Sequence, residues 1–134
     1  MLRRNAKIEL LKRVPLFAHC SKKELNEVAL VADEIDMPEQ KTLTSEGDPG
    51  REFFVLIEGT ADVRRKGRRV NTMGPGDFFG EIALVSDRPR TATVVASSPV
   101  RLLVVTDRAF RELMRKMPSI QDKVLSALAA RLAD

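Results

Sequence analysis

Two short runs carry most of the information in this chain: Phe79-Gly80-Glu81-Ile82-Ala83-Leu84 and, after a gap of four residues, Pro89-Arg90-Thr91-Ala92-Thr93-Val94. They place one carboxylate and one guanidinium nine positions apart, with a glycine directly before the acid. A helical turn that begins after Gly80 would leave backbone amides free to donate to a phosphate, which helix N-termini attract. The planar guanidinium of Arg90 can bind two phosphate oxygens. Because Glu81 would repel a phosphate, it suits a sugar hydroxyl instead, and the pair predicts a nucleotide monophosphate as ligand.

Two glycine-rich turns and one apolar segment precede these runs. The turns are Glu46-Gly47-Asp48-Pro49-Gly50 and Met73-Gly74-Pro75-Gly76-Asp77-Phe78, and the segment is Phe54-Val55-Leu56-Ile57-Glu58-Gly59. In this order, together with the two runs, they resemble the cyclic nucleotide-binding domain family. That family includes the regulatory subunits of cyclic-nucleotide-dependent kinases, cyclic-nucleotide-gated channels and the bacterial catabolite activator. The resemblance covers residues 8 to 134 and implies a cupin-like jelly roll flanked by helices.

The resemblance makes residues 79–92 a phosphate-binding cassette. It implies that Arg90 binds the cyclic phosphate and that Glu81 accepts a hydrogen bond from the ribose 2′-hydroxyl. Ala83 is small enough for a phosphate to reach its backbone amide. The ligand-binding residues that the resemblance implies are Phe79, Gly80, Glu81, Ile82, Ala83, Pro89, Arg90, Thr91 and Ala92.

The residues themselves leave simpler interpretations of the two charges open. Arg90 could be an exposed loop arginine in an ion pair with Asp87 or Asp77. Glu81 could be a carboxylate that caps amides at the start of a helix.

Thr91 bears on the choice of purine. Its hydroxyl can donate to the phosphate, or to a guanine in the syn orientation. Within the family, a hydroxyl residue here goes with tolerance of cGMP, whereas alanine favours cAMP. The sequence therefore permits both ligands, and we expect cAMP because it is the commoner bacterial messenger.

The purine needs apolar walls. Val63, Val70 and Met73 are the candidates on the strands, and Leu128 with Arg131 could form a lid from the last helix. A core position for Leu128 and a solvated Arg131 are equally compatible with the sequence.

Composition limits the class of protein. The chain has 134 residues, 43% hydrophobic and 31% charged, which suits one globular domain with its own core. Cys20 is the single cysteine, so neither a disulfide framework nor an iron–sulfur cluster is expected. No apolar run approaches the ~18 residues of a membrane span, and no signal peptide is recognisable, so we expect a cytoplasmic protein.

Catalysis is not expected. His19 is the single histidine, whereas metal-dependent cupin enzymes place two or three on the barrel wall. No serine–histidine or cysteine–histidine pair can be assembled in the barrel. We therefore expect no catalytic residue, no metal and no cofactor beyond the nucleotide ligand.

The chain has a net charge of +4, and its one dense run of basic residues lies at positions 64–69. It is expected to be a solvated hairpin tip that turns at Lys66-Gly67, and an acidic or phosphate-rich partner is the alternative. The sequence has no Trp or Tyr on which bases could stack, which disfavours single-stranded nucleic acid as a partner.

The pattern of elements predicts a mainly β protein with flanking helices, an antiparallel jelly-roll barrel. Residues 1–33 are expected to be helical, with a capping box at Ser21 and Glu24. Residues 34–106 show short strands with glycine punctuation and hold the cassette. Residues 107–134 are expected to be helical again, with caps at Asp107 and Ser119. Apolar residues of the last helix are expected on one stripe: Ile120, Val124, Leu125, Leu128 and Leu132.

The function expected is that of a sensor module that relays occupancy through its C-terminal helices. Met114, Met117, Leu125, Leu128 and Leu132 are the expected sliding contact. The alternatives are a degenerate scaffold that binds proteins, the sensor half of a transcription regulator, and a cupin-type enzyme. Because the sequence stops at Asp134, we expect no direct DNA binding by this chain alone. The effector, in the same chain or another, and the possibility of a homo-oligomer stay open.

Overall fold

The strands build two antiparallel sheets. The computed structural model describes residues 2–133, with side chains through residue 130. The strands are β1 (Asp33–Met37), β2 (Thr42–Thr44), β3 (Glu52–Glu58), β4 (Ala61–Arg65), β5 (Arg68–Met73), β6 (Phe78–Phe79), β7 (Thr93–Ala96) and β8 (Val100–Thr106). They pair as β1-β8-β3-β6 in one sheet and as β2-β7-β4-β5 in the other. The antiparallel jelly roll predicted from the strand pattern is confirmed.

The apolar run in β3 explains its central place. Phe53 to Leu56 are all buried, as expected for a strand that is covered on both faces, and β3 pairs with both β8 and β6. The barrel core contains Phe54, Leu56, Ala61, Met73, Val94, Ala96, Val100, Leu102 and Val104. This core supports the strands that carry the cassette.

The hairpin of β4 and β5 turns where the sequence predicted. Lys66 and Gly67 both have positive φ, 52° and 79°, as a two-residue hairpin turn with the twist of its strands requires. A bulge interrupts the pairing, because Val63 lies opposite Asn71 while Arg64 lies opposite Arg69. Val70 is therefore the extra residue on β5, and its side chain is 54% exposed.

The Cα packing divides the chain into two compact units. Residues 33–107 form the barrel unit, and residues up to 32 together with those from 108 onward form the helical unit. The helices are α1 (Arg4–Lys12), α2 (Lys22–Leu30), α3 (Asp107–Lys116) and α4 (Pro118–Ala133), with short 3-10 helices at Pro15–Phe17 and Glu81–Leu84.

The predicted capping box at the start of α2 is confirmed. The amide of Glu24 donates to Ser21 Oγ at 3.2 Å, and the amide of Ser21 donates to Glu24 Oε1 at 2.8 Å. The two bonds satisfy two amides that a helix start would otherwise leave without a partner.

The two residues predicted as C-terminal caps both lie at the start of a helix. Helix α3 begins at Asp107 itself, and α4 begins at Pro118, so Asp107 and Ser119 lie inside the first turns. Proline suits a first helical position because that amide has no partner within the helix. The hydroxyl of Ser119 instead donates to the Glu24 carboxylate.

The apolar stripe of α4 was only partly correct. Ile120 and Val124 are buried, as is Ala127, but Leu125 is 56% exposed and Leu128 is half-buried. The buried face therefore follows Ile120, Val124 and Ala127, at the spacing of a helix face. The side chain of Leu132 lies outside the described residues.

Candidate ligand-binding site

The cassette begins with a left-handed glycine. Gly80 has φ 80° and ψ 16°, and the 3-10 helix from Glu81 to Leu84 follows directly. The helical turn predicted after Gly80 is therefore present. The amide of Ala83 donates to the carbonyl of Gly80 at 3.0 Å within this turn, and its approach to a phosphate stays a prediction.

Glu81 and Arg90 border one cavity. The cavity has a volume of about 270 Å³, near the lower end of the range for small-molecule sites. It is lined by Thr44, Val63, Arg65, Met73, Phe79, Gly80, Glu81, Arg90, Thr91, Ala92 and Val94. The carboxylate and the guanidinium that the sequence singled out are thus brought together, although nine positions separate them.

The loop at residues 46–50 forms two hydrogen bonds with the backbone of Arg90. The amide of Arg90 donates to the carbonyl of Asp48, and the amide of Gly47 donates to the carbonyl of Arg90, each at 2.8 Å. Pro49 and Pro89 form an isolated antiparallel bridge beside these bonds. The glycine turn at residues 46–50 therefore positions the cassette arginine.

The guanidinium of Arg90 bonds to a backbone carbonyl. Its Nη2 donates to the carbonyl oxygen of Glu52 at 2.6 Å. Among the ion pairs that the described residues form, none includes Arg90. The Asp77 carboxylate, one suggested partner, accepts from the amide of Gly74 at 2.8 Å instead.

Two glycines make room for the arginine. A Cβ atom added at Gly50 would lie 3.1 Å from Arg90 Nε and 3.3 Å from the Ala83 Cβ. A Cβ atom at Gly80 would overlap Arg90 Nη1 and lie 2.8 Å from the Glu52 carbonyl oxygen. The side chain of Arg90 therefore passes between two positions that only glycine fills without displacement.

Burial acts on the charge of Arg90. Partial withdrawal from water lowers the pKa of the Arg90 guanidinium below its ordinary value, and the nearby Glu52 carboxylate acts in the opposite direction. Arginine remains protonated in proteins even so. The site thus presents a cation that is partly desolvated and bound mainly to a neutral acceptor.

Aromatic stacking fixes Phe79 at the edge of the cavity. Phe79 pairs with Phe54 across β6 and β3, and their rings stack with centroids 4.8 Å apart. Their planes are 18° apart, and a centroid distance of this size is typical of interacting aromatic pairs. This stacking fixes the position of Phe79, which directly precedes Gly80 and also lines the cavity.

The predicted site residues divide into two groups. Phe79, Gly80, Glu81, Arg90, Thr91 and Ala92 line the cavity, as do Val63 and Met73. Among the described residues, the lining leaves out Ile82, Ala83 and Pro89 of the cassette and Val70 and Leu128 of the predicted base pocket. Val70, the extra residue of the bulge, is exposed, and its place in a base pocket stays a prediction. The side chain of Arg131 lies outside the described residues.

Three lining residues were missed from the sequence. Arg65 follows Ala61 and Val63 in strict alternation on β4, so extending that pattern would have found it. Thr44 and Val94 lie on β2 and β7, and Thr44 Oγ1 donates to the Ala92 carbonyl at 3.4 Å. The carbonyl of Glu52 gives no sequence signal, because any residue carries one.

Comparison with known proteins agrees with this geometry. The family model described as the cyclic nucleotide-binding domain matches residues 34–117. The chain therefore belongs to the cyclic nucleotide-binding domain family.

Curated relatives and solved structures share between about a quarter and a third of their residues with this chain. A cAMP-dependent protein kinase regulatory subunit from Aspergillus niger is 35% identical over 82% of this chain and 27% of its own length. The N-terminal domain of a transcriptional regulator from Streptomyces coelicolor A3(2) superposes with a TM-score of 0.84, at 32% identity and 92% coverage of each chain. A structure named cAMP-bound PfPKA-R (141-441) gives a TM-score of 0.70 at 26% identity, covering 94% of this chain and 47% of that one. The chain spans about a quarter of the length of the curated relatives it matches.

The described residues 2–133 lack two other features. The side chains described there form no cluster of three or more His, Cys, Asp or Glu residues that could hold a metal ion. None of the helices described has both the length and the apolar character needed to cross a membrane.

Proposed function

We propose that this protein is a non-catalytic sensor that binds a cyclic purine nucleotide, cAMP in preference to cGMP. The observation that carries the proposal is the position of Glu81 and Arg90 on one cavity of about 270 Å³. Relatives and neighbours named for cAMP support the choice of ligand. The single cysteine fits a reducing cytoplasmic location, which we propose as well.

Each end of the cavity suits one part of the ligand. The cyclic phosphate carries one negative charge, and Arg90 would exchange its neutral carbonyl acceptor for that anion. Glu81 would accept the ribose 2′-hydroxyl, since a carboxylate offers only acceptors at neutral pH. The apolar side chains of Val63, Met73 and Val94 would pack against the purine.

The relay to the C-terminal helices starts at the same arginine. Arg90 bonds to the carbonyl of Glu52, and the carbonyl of the preceding Arg51 accepts from the amide of Asp107, the first residue of α3, at 2.8 Å. A phosphate that draws the guanidinium away would therefore loosen the start of β3 beside the start of α3. We propose that this shifts the C-terminal helices by the difference in ligand affinity between two states.

Side chains of these helices supply the proposed sliding contact. Met114 of α3, Met117 directly after α3 and Leu128 of α4 are half-buried, and methionine adapts readily to alternative packing. Identical hydrogen-exchange protection of residues 107–130 with and without cAMP would contradict the relay and leave nucleotide binding standing.

The binding proposal is tested by isothermal titration with cAMP, cGMP, 5′-AMP and 2′-deoxy-cAMP. We expect cAMP to bind most tightly and 2′-deoxy-cAMP much more weakly, because Glu81 would be left without its hydroxyl. We expect 5′-AMP to bind weakly, since its second phosphate charge has no partner. Equal and weak responses to all four compounds would favour the degenerate scaffold instead.

A second candidate concerns the effector. The close superposition on the N-terminal domain of a transcriptional regulator favours a sensor half that controls DNA binding elsewhere in a longer protein. A protein effector, as for kinase regulatory subunits, is the other candidate. The two are separated by whether nucleotide changes the affinity of the full-length protein for DNA or for a protein partner.

A further inference from the structure

Arg65 places a second guanidinium on the wall of the ligand cavity. Along β4, Ala61 is buried, Val63 is half-buried, and both Val63 and Arg65 line the cavity. The bulge in this hairpin is taken up by β5, since two residues there oppose one on β4. The alternation along β4 is therefore unbroken, and Arg65 lies on the same face as the apolar residues proposed to pack against the purine.

The backbone at Arg65 is held close to the cassette. Val63 pairs with Val94 and Arg64 with Thr93, so Arg65 directly follows the part of β4 that is paired with β7. The amide of the following Lys66 donates to Glu46 Oε1 at 3.0 Å, and the amide of Glu46 donates to Thr93 Oγ1 at 2.9 Å. The hairpin tip is thus tied to the loop that also clamps Arg90.

No acidic residue neutralises Arg65 in the part of the chain that the structure describes. The described ion pairs leave it out, whereas its neighbour Arg64 lies 3.7 Å from the Asp62 carboxylate. Glu81 is the single carboxylate among the cavity-lining residues. The charge of Arg65 is therefore available to a ligand, and that of Arg64 is shared with an aspartate on the opposite face.

The position of Arg65 favours the base over the phosphate. A cyclic phosphate carries one charge, which Arg90 neutralises in the proposed binding mode. Arg65 lies two residues from Val63 on one face, about 7 Å along the strand, which is within reach of a purine packed on Val63. A guanidinium donates well to the adjacent O6 and N7 acceptors of guanine, whereas adenine pairs its N7 with an amino donor.

We propose that Arg65 is a specificity-determining residue that donates to the O6/N7 edge of guanine. Its effect is to raise the affinity of the cavity for cGMP, which stays below the affinity for cAMP. This inference rests on the proposed nucleotide-binding function and adds a residue that selects between the two purines.

The test compares Arg65→Met with Arg64→Met, two exposed arginines on opposite faces of one strand. Titrations of wild type and both variants use cAMP and cGMP, at low and at high salt. We expect Arg65→Met to weaken cGMP binding about tenfold and to leave cAMP binding unchanged. Arg64→Met should leave both affinities unchanged, which controls for loss of general positive charge.

Two probes sharpen the assignment to the base edge. The variant Arg65→Lys keeps the charge but loses the planar fork, and we expect it to retain most of the cGMP deficit. Replacing cGMP by 7-deaza-cGMP should weaken binding to wild type but make no difference to Arg65→Met.

The outcomes separate this inference from the function beneath it. Equal losses for cAMP and cGMP in Arg65→Met, or no loss for either, would overturn the role of Arg65 while nucleotide binding stands. A wild-type protein that binds neither nucleotide would overturn both.

Discussion

The helical unit and the barrel unit each contain a charged side chain that is shielded from water, Glu24 and Arg90, and the two differ in their hydrogen-bond partners. In the helical unit, Glu24 is 5% exposed. The amide of Ser21 donates to its carboxylate at 2.8 Å and Lys123 Nζ at 3.2 Å, and the Ser119 hydroxyl donates as well. These bonds, the one from the Ser21 amide above all, hold the pKa of Glu24 at about 2, below its ordinary 4.5.

In the barrel unit, Arg90 has a neutral acceptor for its guanidinium. The carbonyl of Glu52 accepts one N–H of the guanidinium. Burial lowers the pKa of Arg90, and the Glu52 carboxylate, which forms no ion pair with it, acts in the opposite direction. Glu24 is a charge whose partners the fold already supplies, so it stabilises the fold. Arg90 is a charge without a bound anion, so it suits a ligand that brings one.

The largest expected effect is on ligand binding by Arg90→Ala. A nucleotide phosphate that enters the cavity would lose its charge partner there, so the affinity for cAMP should fall by about 2–5 kcal/mol. The free energy of unfolding should fall by only about 1 kcal/mol, because the variant loses the hydrogen bond to the Glu52 carbonyl but no ion pair. Calorimetric titration and urea unfolding measure the two effects.

The neighbouring Arg88→Ala is the matched control for that variant. Arg88 is exposed and is not among the cavity-lining residues described, so its replacement should affect neither quantity. Unchanged cAMP affinity in Arg90→Ala would show that Arg90 does not bind the anion of the ligand, so its contrast with Glu24 would no longer hold.

A smaller effect, on stability and its pH dependence, is expected from Glu24→Gln. The folded-state pKa of Glu24 is depressed, so its contribution is fully present above pH 4.5 and is lost as the pH falls towards 2. At neutral pH, the variant should lose about 2 kcal/mol of unfolding free energy, typical for hydrogen bonds to a buried charge. Urea midpoints measured from pH 7 to pH 2.5 should converge for wild type and variant at the acidic end.

Glu27→Gln, on the same helix, is the control for Glu24→Gln and should leave the pH profile unchanged. Affinity for cAMP at neutral pH should be the same in both variants, because neither residue lines the described cavity. A constant gap between the urea midpoints of wild type and Glu24→Gln across the whole pH range would show that the carboxylate is not the source of the stability.

Sequence reasoning predicted the features that local patterns determine. The capping box at Ser21, the hairpin turn at Lys66-Gly67 and the buried run in β3 each follow from residues within one element. The position of Glu81 and Arg90 on one cavity could also be predicted, because both lie in one continuous segment that resembles a known family.

The remaining features depend on how separate elements meet. The bulge that exposes Val70 is a mismatch between two strands, and neither strand's own alternation reveals it. Ser119 follows the start of α4 at Pro118, and its hydroxyl donates to Glu24, a residue almost a hundred positions away in the chain. The carbonyl that holds Arg90 is a backbone atom, for which no residue type is diagnostic.

The smallest expected effect comes from Gly50→Ala, which tests whether the position of Arg90 matters as well as its charge. The added methyl group would lie 3.1–3.3 Å from Arg90 and Ala83, tighter than ordinary contact, so the arginine must shift by a few tenths of an ångström. We expect the affinity for cAMP to fall by about 1 kcal/mol, since crowding a packed site costs about this much. Gly74→Ala is the control, because a Cβ atom there meets nothing within 4 Å. The guanidinium keeps its charge in Gly50→Ala. A loss of cAMP affinity that Gly74→Ala does not share would therefore show that the position of Arg90 between its two glycines contributes to binding. Equal cAMP affinities in the two variants would show that the charge of Arg90 contributes and its position does not.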